Sequence, residues 1–283
     1  MITNNAMQLK AFIKKKAEES NISAQLVMQN YMLECLLERI SLSKYKQNLI
    51  LKGGFLIAAI VGLDSRATMD MDTTIKGLPL THESVHSTFD EICNIPIEDN
   101  ISFSVLRTSD IREHDDYQGL RVHISAKYQT LDVSIKVDVT TGDKITPGEI
   151  EYSYKLLFDD RNIPILAYNL ETILAEKLET VLSRNIANTR PRDFYDIHIL
   201  YSLRREQCNM PVLKDALYKT SQKRRSLSVI ENYRKILGGI TENQQMSDFW
   251  TAYQDEFDYA KGITFNDVCN SVSQVLEVIS KSK

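Results

Sequence analysis

Apolar residues recur every three or four positions through the first fifty residues of the chain, give way to strict alternation in the middle, and return to helical spacing after Asn169. In "AQLVMQNYMLECLLERISLS", Leu26, Met28, Tyr31, Met32, Cys35, Leu36 and Ile40 make a broad apolar face, which predicts a buried helix capped at Asn21 or Ser23. The stretch "LRVHISAKYQTLDVSIKVDVTTGD" alternates instead. Leu120, Val122, Ile124 and Ala126 share one face of a first strand, and Leu131, Val133, Ile135, Val137 and Val139 share one face of a second. An antiparallel hairpin is expected, turning around Tyr128 to Thr130. The second strand's other face carries Asp132, Ser134, Lys136 and Asp138, an unusual polar load. Further on, "NLETILAEKLETVLSRNIA" gathers Leu170, Ile173, Leu174, Leu178, Val181 and Leu182 on one side of a helix, with Asn169 or Thr172 as cap. The run "RPRDFYDIHILYSLRRE" predicts the next helix, with Asp193 and Asp196 in a first turn where the helix dipole favours negative charge. These patterns divide the chain into a helical N-terminal segment (1–48), a core built on a small mixed sheet (49–150) and a helical C-terminal domain (151–283).

Composition adds a setting. With 283 residues, 43% of them hydrophobic, the chain can bury a sizeable core. Its longest apolar run, Phe55 to Val61, falls far short of the roughly 20 residues that span a bilayer, and the N-terminus lacks a signal-peptide layout. A cytoplasmic protein with no membrane partner is expected. Cys35, Cys93, Cys208 and Cys269 form no CxxC pair and the five histidines have no metal spacing, so neither a zinc site nor a disulfide framework is indicated. The formal charge of −4 does not mark a nucleic-acid binder, but basic residues cluster locally at Lys14–Lys16, Arg204–Arg205 and Lys223–Arg225, against an acidic stretch from Ser109 to Asp116.

Chemistry concentrates in "LKGGFLIAAIVGLDSRATMDMD". A strand through "TMDMD" would bury Met69 and Met71 and turn Asp70 and Asp72 to one face, their Cα atoms about 6.6 Å apart. Two like charges at 4 Å repel by on the order of 4 kcal/mol at an effective dielectric near 20, a cost that a bound cation offsets. Asp138, with Lys136 two residues before it, offers a third carboxylate from the hairpin's second strand. Three such hard oxygen donors suit Mg²⁺ together with substrate phosphates, and two ions would suit phosphoryl transfer. Gly53 and Gly54, opening an apolar helical run, would let backbone N–H groups approach a phosphate at a helix N-terminus. Lys52 before them, with Arg66 and Thr68 in the R-x-T-x-D-x-D run, completes a candidate nucleotide cradle. Lys177 and Arg184, seven residues apart on one helix and hence about 20° apart around it, are two further candidate phosphate contacts.

Taken in order, "LILKGGFLIAAIVGLDSRATMDMD", "IKVDVTTGD", "LAEKLETVLSR" and "RPRDFYDIHIL" resemble the AbiEii/AbiGii-type nucleotidyltransferase toxins, including the MenA-like enzymes, from about Leu49 to Leu200. The resemblance implies an α+β fold: a DNA-polymerase-β-like nucleotidyltransferase core with a helical C-terminal domain. It implies a toxin of a bacterial toxin–antitoxin or phage-defence system, with an antitoxin encoded nearby, that moves nucleotides from an NTP to RNA, above all the tRNA 3′ end. Carried over by residue, it makes Asp70 and Asp72 the metal-binding pair, Asp138 the third carboxylate assisted by Lys136, Lys177 the nucleotide-phosphate lysine and Asp193 the aspartate of the last motif. The chain departs from the Gly-Ser or Gly-Gly-Thr of its relatives by placing Phe55 after Gly54, which removes a hydroxyl from the cradle. Two other functions remain open at this point: nucleotidylation of a protein hydroxyl, and nucleotide sensing without catalysis.

Overall fold

The computed structural model describes residues 5–111 and 119–282, so His114 and most of the acidic stretch Ser109–Asp116 lie outside the described residues. The chain separates into two compact units, Met1–Asp143 with Ile150–Ala167, and Lys144–Glu149 with Tyr168–Lys283.

The first unit opens with α1 (Ala6–Ser20) and α2 (Ala24–Leu42), the latter capped by Ser23, whose side chain accepts from the Leu26 N–H. Then follow β1 (Leu49–Lys52), α3 (Gly53–Val61), β2 (Met71–Ile75), α4 (His82–Cys93), β3 (Ser102–Asp110), β4 (Gly119–Tyr128), β5 (Leu131–Thr141), β6 (Ile150–Lys155) and β7 (Asn162–Ala167). Among the described residues the strands form one mixed sheet in the order β3-β4-β5-β2-β1-β7-β6, with β2 parallel to β5, β1 parallel to β7 and the other neighbours antiparallel. The hairpin expected from alternation is β4–β5, turning at Gln129 and Thr130. Val122, Ile124, Ala126, Ile135, Val137 and Val139 are wholly buried on its apolar face. Helix α2 packs on β5 and β7, and α4 on β3 and β4. On the hairpin's other face, Arg121, His123, Lys136 and Asp138 stay half-buried.

Two local expectations are corrected. Segment 151–167, grouped by sequence with the helical C-terminal domain, supplies most of β6 and all of β7 to the first unit's sheet. And β2 begins only at Met71, so Met71 is buried while Met69 is 41% exposed. The residues before β2 are held off the strand path: the Asn30 side chain on α2 donates to the Thr68 carbonyl at 2.6 Å, and the Thr68 hydroxyl donates to the Asp70 carbonyl at 3.3 Å.

The second unit is helical: α5 (Leu170–Arg184), α6 (Pro191–Arg204), α7 (Met210–Lys223), α8 (Leu227–Glu231), α9 (Tyr233–Thr241), α10 (Gln244–Glu256) and α11 (Phe265–Lys281). Asn169 caps α5 by accepting from the Thr172 N–H, and Pro191 occupies the start of α6, where its missing N–H costs nothing. Ile173, Leu174, Leu178, Val181 and Leu182 are buried, as the helical spacing predicts.

Candidate active site

Strand register builds the site. Arg121 on β4 lies opposite Asp138 on β5, Asp138 opposite Asp72 on β2, and Asp72 opposite Lys52 on β1. Residues paired across neighbouring strands point to the same side of a sheet, so one row crosses four strands with charges in the sequence plus, minus, minus, plus. At about 4.8 Å between strands, the row spans about 14 Å. Its inner pair, two carboxylates side by side, would repel if nothing lay between or beside them. Asp138 is relieved by Arg121, which donates from Nε to Oδ1 at 2.7 Å and from Nη2 to Oδ2 at 2.8 Å. Asp72 is relieved by the backbone: its Oδ2 accepts from the Gly54 N–H at 3.2 Å.

That contact explains the double glycine. Gly53 sits at φ +64°, the left-handed region, and lets β1 turn into α3 without a connecting loop. A Cβ at Gly53 would collide with the Asp72 carboxylate, and one at Gly54 would lie 3.0 Å from the Thr68 hydroxyl and 3.1 Å from Arg66 Nη2. The first turn of α3 therefore meets Asp72, Thr68 and Arg66 edge-on, with no side-chain cap from Lys52. Arg66 itself is buried and donates to the Ala67 carbonyl. Phe55 points the other way, into the core, stacked on Tyr154 with centroids 5.7 Å apart. The residue that replaces a hydroxyl in the sequence motif is thus a core residue, and Thr68 brings a hydroxyl to the helix start from the other side.

Lys52, expected as a phosphate contact, bonds Asp143 at 2.5 Å and the Thr140 hydroxyl at 2.6 Å. Asp143 also accepts from the hydroxyls of Thr74 at 2.5 Å and Thr140 at 3.0 Å. Burial alone would raise the Asp143 carboxyl; the Lys52 ammonium and the hydroxyls outweigh it and bring its pKa down to about 2. Asp143 escaped sequence reading because only the fold carries the end of β5 back to β1.

Asp70, half-buried just ahead of β2, has no hydrogen bond to its carboxylate among the described residues. Asp70 and Asp72 are hard oxygen donors of the kind that could hold a divalent ion such as Mg²⁺, which is bound by one or two carboxylates when substrate phosphates complete its shell. Asp138, one strand along from Asp72, accepts from Arg121 at both oxygens, and among the described residues no group of three His, Cys, Asp or Glu side chains is placed to hold a metal. Lys136 stands two residues along the same face, half-buried and opposite His123.

The remaining sequence candidates belong to the second unit. Lys177 on α5 bonds Asp193 at 2.7 Å and Asp196 at 2.9 Å, both from the first turns of α6. Burial would depress the ammonium; the two carboxylates more than compensate and raise its pKa. Asp193 keeps one oxygen, Oδ2, buried without a hydrogen-bond partner among the described residues. Arg184 lies half-buried in the last turn of α5.

Comparison with known proteins adds a family. The family model for the nucleotidyl transferase AbiEii toxin of type IV toxin–antitoxin systems matches residues 35–277. No curated protein matches the chain. A crystal structure of an H. pylori protein with a provisional designation as a nucleotidyltransferase superposes with a TM-score of 0.50 at 14% identity, covering 92% of this chain and 98% of its own. JHP933 from Helicobacter pylori gives 0.49 at 14% identity over 92% of this chain and 95% of its own. An antigenic nucleotidyltransferase-like protein from Paracoccidioides brasiliensis gives 0.40 at 15% identity over 69% of this chain and 90% of its own.

Proposed function

The chain belongs to the AbiEii family of nucleotidyl transferase toxins of type IV toxin–antitoxin systems, and on that footing we propose that it transfers a nucleotide from an NTP to RNA, with a tRNA 3′ hydroxyl as the acceptor. Nucleotidyltransferase chemistry, an NTP substrate and an antitoxin partner come with the family. The observation that carries the finer reading is the approach of Asp72 to the start of α3, where a carboxylate that can share a cation meets a helix N-terminus that favours phosphate.

In the proposed reaction the acceptor hydroxyl oxygen bonds to the α-phosphorus of the NTP, the bond from that phosphorus to the bridging oxygen of the β-phosphate breaks, and pyrophosphate leaves. The hydroxyl proton passes to solvent. A divalent ion held by Asp70 and Asp72 would supply positive charge for the phosphates and make the hydroxyl more acidic. Gly53 keeps the helix start close to Asp72, Thr68 brings its hydroxyl to that start, and Asn30 fixes the segment that carries Thr68. Lys52 and Asp143 hold β1 against the end of β5, and so set the width of the row.

Incubating the protein with total tRNA, Mg²⁺ and each labelled NTP in turn, beside Asp70→Ala, tests the proposal. Label is expected in RNA with the wild type alone. Label that survives RNase and yields to protease would replace the RNA acceptor with a protein hydroxyl. Nucleotide binding without any transfer would make the protein a sensor.

A further inference from the structure

Two residues along the strands from the row that holds Asp72 and Asp138, the sheet's open face carries a second row of a different kind. Arg107 on β3 pairs with His123 on β4, and His123 with Lys136 on β5, so three basic side chains stand abreast on neighbouring strands. Ser109, on the same face of β3 as Arg107, bonds the His123 ring at Nε2 across 3.0 Å and leaves Nδ1 unused among the described residues. Burial, and after it the charges of Arg107, Arg121 and Lys136, hold the His123 pKa below its ordinary value, so all three cations act on the ring. Among the described residues neither the Arg107 nor the Lys136 side chain makes a hydrogen bond or an ion pair. A charged edge strand accounts for Arg107, which is exposed on β3 at the end of the sheet. It does not account for Lys136, half-buried on a strand with a neighbour on either side.

We propose, resting on the RNA-acceptor reading, that Arg107, His123 and Lys136 bind the phosphate on the 5′ side of the acceptor's terminal nucleotide and so bring its 3′ hydroxyl to Asp70 and Asp72. The position of the row favours the acceptor over the NTP. The phosphate-favouring start of α3 follows β1, and β3, β4 and β5 lie on the other side of β2. In an in-line displacement the attacking oxygen and the leaving pyrophosphate stand on opposite sides of the phosphorus. An NTP seated at α3 therefore puts the acceptor on the side of β5 and β4. The spacing fits as well. Two residues along a strand are about 6.6 Å, and within one nucleotide the phosphate and the 3′ oxygen are joined through O5′, C5′, C4′ and C3′, a comparable span. Arg107 and Lys136 stand two strand spacings apart, about 10 Å between Cα atoms, a gap that their long side chains can close on one phosphate. The guanidinium offers paired N–H groups and the ammonium a point charge, both suited to phosphate oxygens.

The experiment measures binding of a short fluorescent single-stranded RNA by anisotropy, in the wild type, Arg107→Gln, Lys136→Gln and the double variant. The RNA carries at its last internucleotide linkage either the ordinary phosphate or an uncharged methylphosphonate. The wild type is expected to bind the methylphosphonate RNA at least tenfold more weakly. The double variant should bind the two RNAs within about twofold of each other, since the contact is already gone from the protein side. In transfer assays the double variant's KM should rise at least tenfold for RNA and stay within about twofold for NTP. A rise in the KM for NTP instead would give the row to the triphosphate, and an equal methylphosphonate penalty in wild type and double variant would free the row from the terminal phosphate; either overturns the proposal. Arg107→Gln, at an exposed edge, decides the matter alone should Lys136→Gln fail to fold. A wild type that labels RNA yet binds both RNAs equally sinks the row and leaves the RNA-acceptor reading standing, whereas one that labels no RNA sinks both.

Discussion

Single buried charges in this protein are each tied to one partner set, and two of them make quantitative tests possible. Glu34 on α2 is 4% exposed and accepts a bond from the Leu157 N–H at 2.7 Å. Burial pushes its carboxyl from an ordinary 4.5 up to about 8. Between those values the unfolded chain has released this proton and the folded chain keeps it, so the wild type loses stability as pH rises from 4.5 to 8. Glu34→Gln removes the effect. Its stability relative to wild type should grow by roughly 1.4 kcal/mol for each pH unit across that window and level off above it, as read by urea denaturation at a series of pH values. Lys177 supplies the second test. Replaced by Met, it leaves Asp193 and Asp196 buried side by side, a loss of about 3–5 kcal/mol, and adding Asp193→Asn and Asp196→Asn should return most of it. A destabilisation below about 1 kcal/mol would mean that the carboxylates find another cation or protonate cheaply.

At the scale of elements, the β1–α3 junction and the β4–β5 hairpin carry the site. Gly53→Ala puts a side chain at φ +64° and into the Asp72 carboxylate, so it should cost about 1–3 kcal/mol in thermal or chemical denaturation and reduce nucleotide transfer more than tenfold. Normal transfer by this variant would remove Asp72 from the reaction. The hairpin was legible in the sequence because its apolar positions alternate without a break, and α5 and α6 because their apolar stripes and caps are regular. Strands β6 and β7 were missed in the sequence although "IEYSYK" alternates: each is only six residues long, β6 buries Tyr154 alone, and Pro164 interrupts β7. Asp70, Asp72 and Asp138 announced themselves by spacing. Arg121 did not, although a turn fixed at Gln129 and Thr130 puts it opposite Asp138 by counting alone. What the sequence lacks is that register, and with it the knowledge that a carboxylate counted as a metal ligand already has a partner. Lys177 gave the converse difficulty: no acid lies within a turn of it on α5, and its partners come from the next helix.

For the whole molecule, charge distribution sets how the proposed RNA acceptor would be bound. The net charge of −4 repels a polyanion at long range, so binding must rest on local basic groups. Of the clusters in the second unit, Arg224 is committed to Glu179 at 2.6 Å and Glu176 at 3.3 Å, while Arg205, Lys223 and Arg225 are exposed. Replacing these three with Gln should weaken tRNA binding and lower the slope of log affinity against log salt by up to about 2.7, at roughly 0.7–0.9 per phosphate contact, in filter-binding assays at several ionic strengths. An unchanged slope would move the RNA surface elsewhere. The division into units has a practical side of its own. The chain passes from one unit to the other three times, after Asp143, Glu149 and Ala167. No single peptide bond parts them, and β7 stays paired to β1 whatever happens to the stretch before it. A protease that nicks Lys144–Glu149 would release nothing: the two fragments should travel together through gel filtration and come apart only in denaturant. An assay that watches for smaller particles would miss such a cut, and one that runs the sample on a denaturing gel would see it at once.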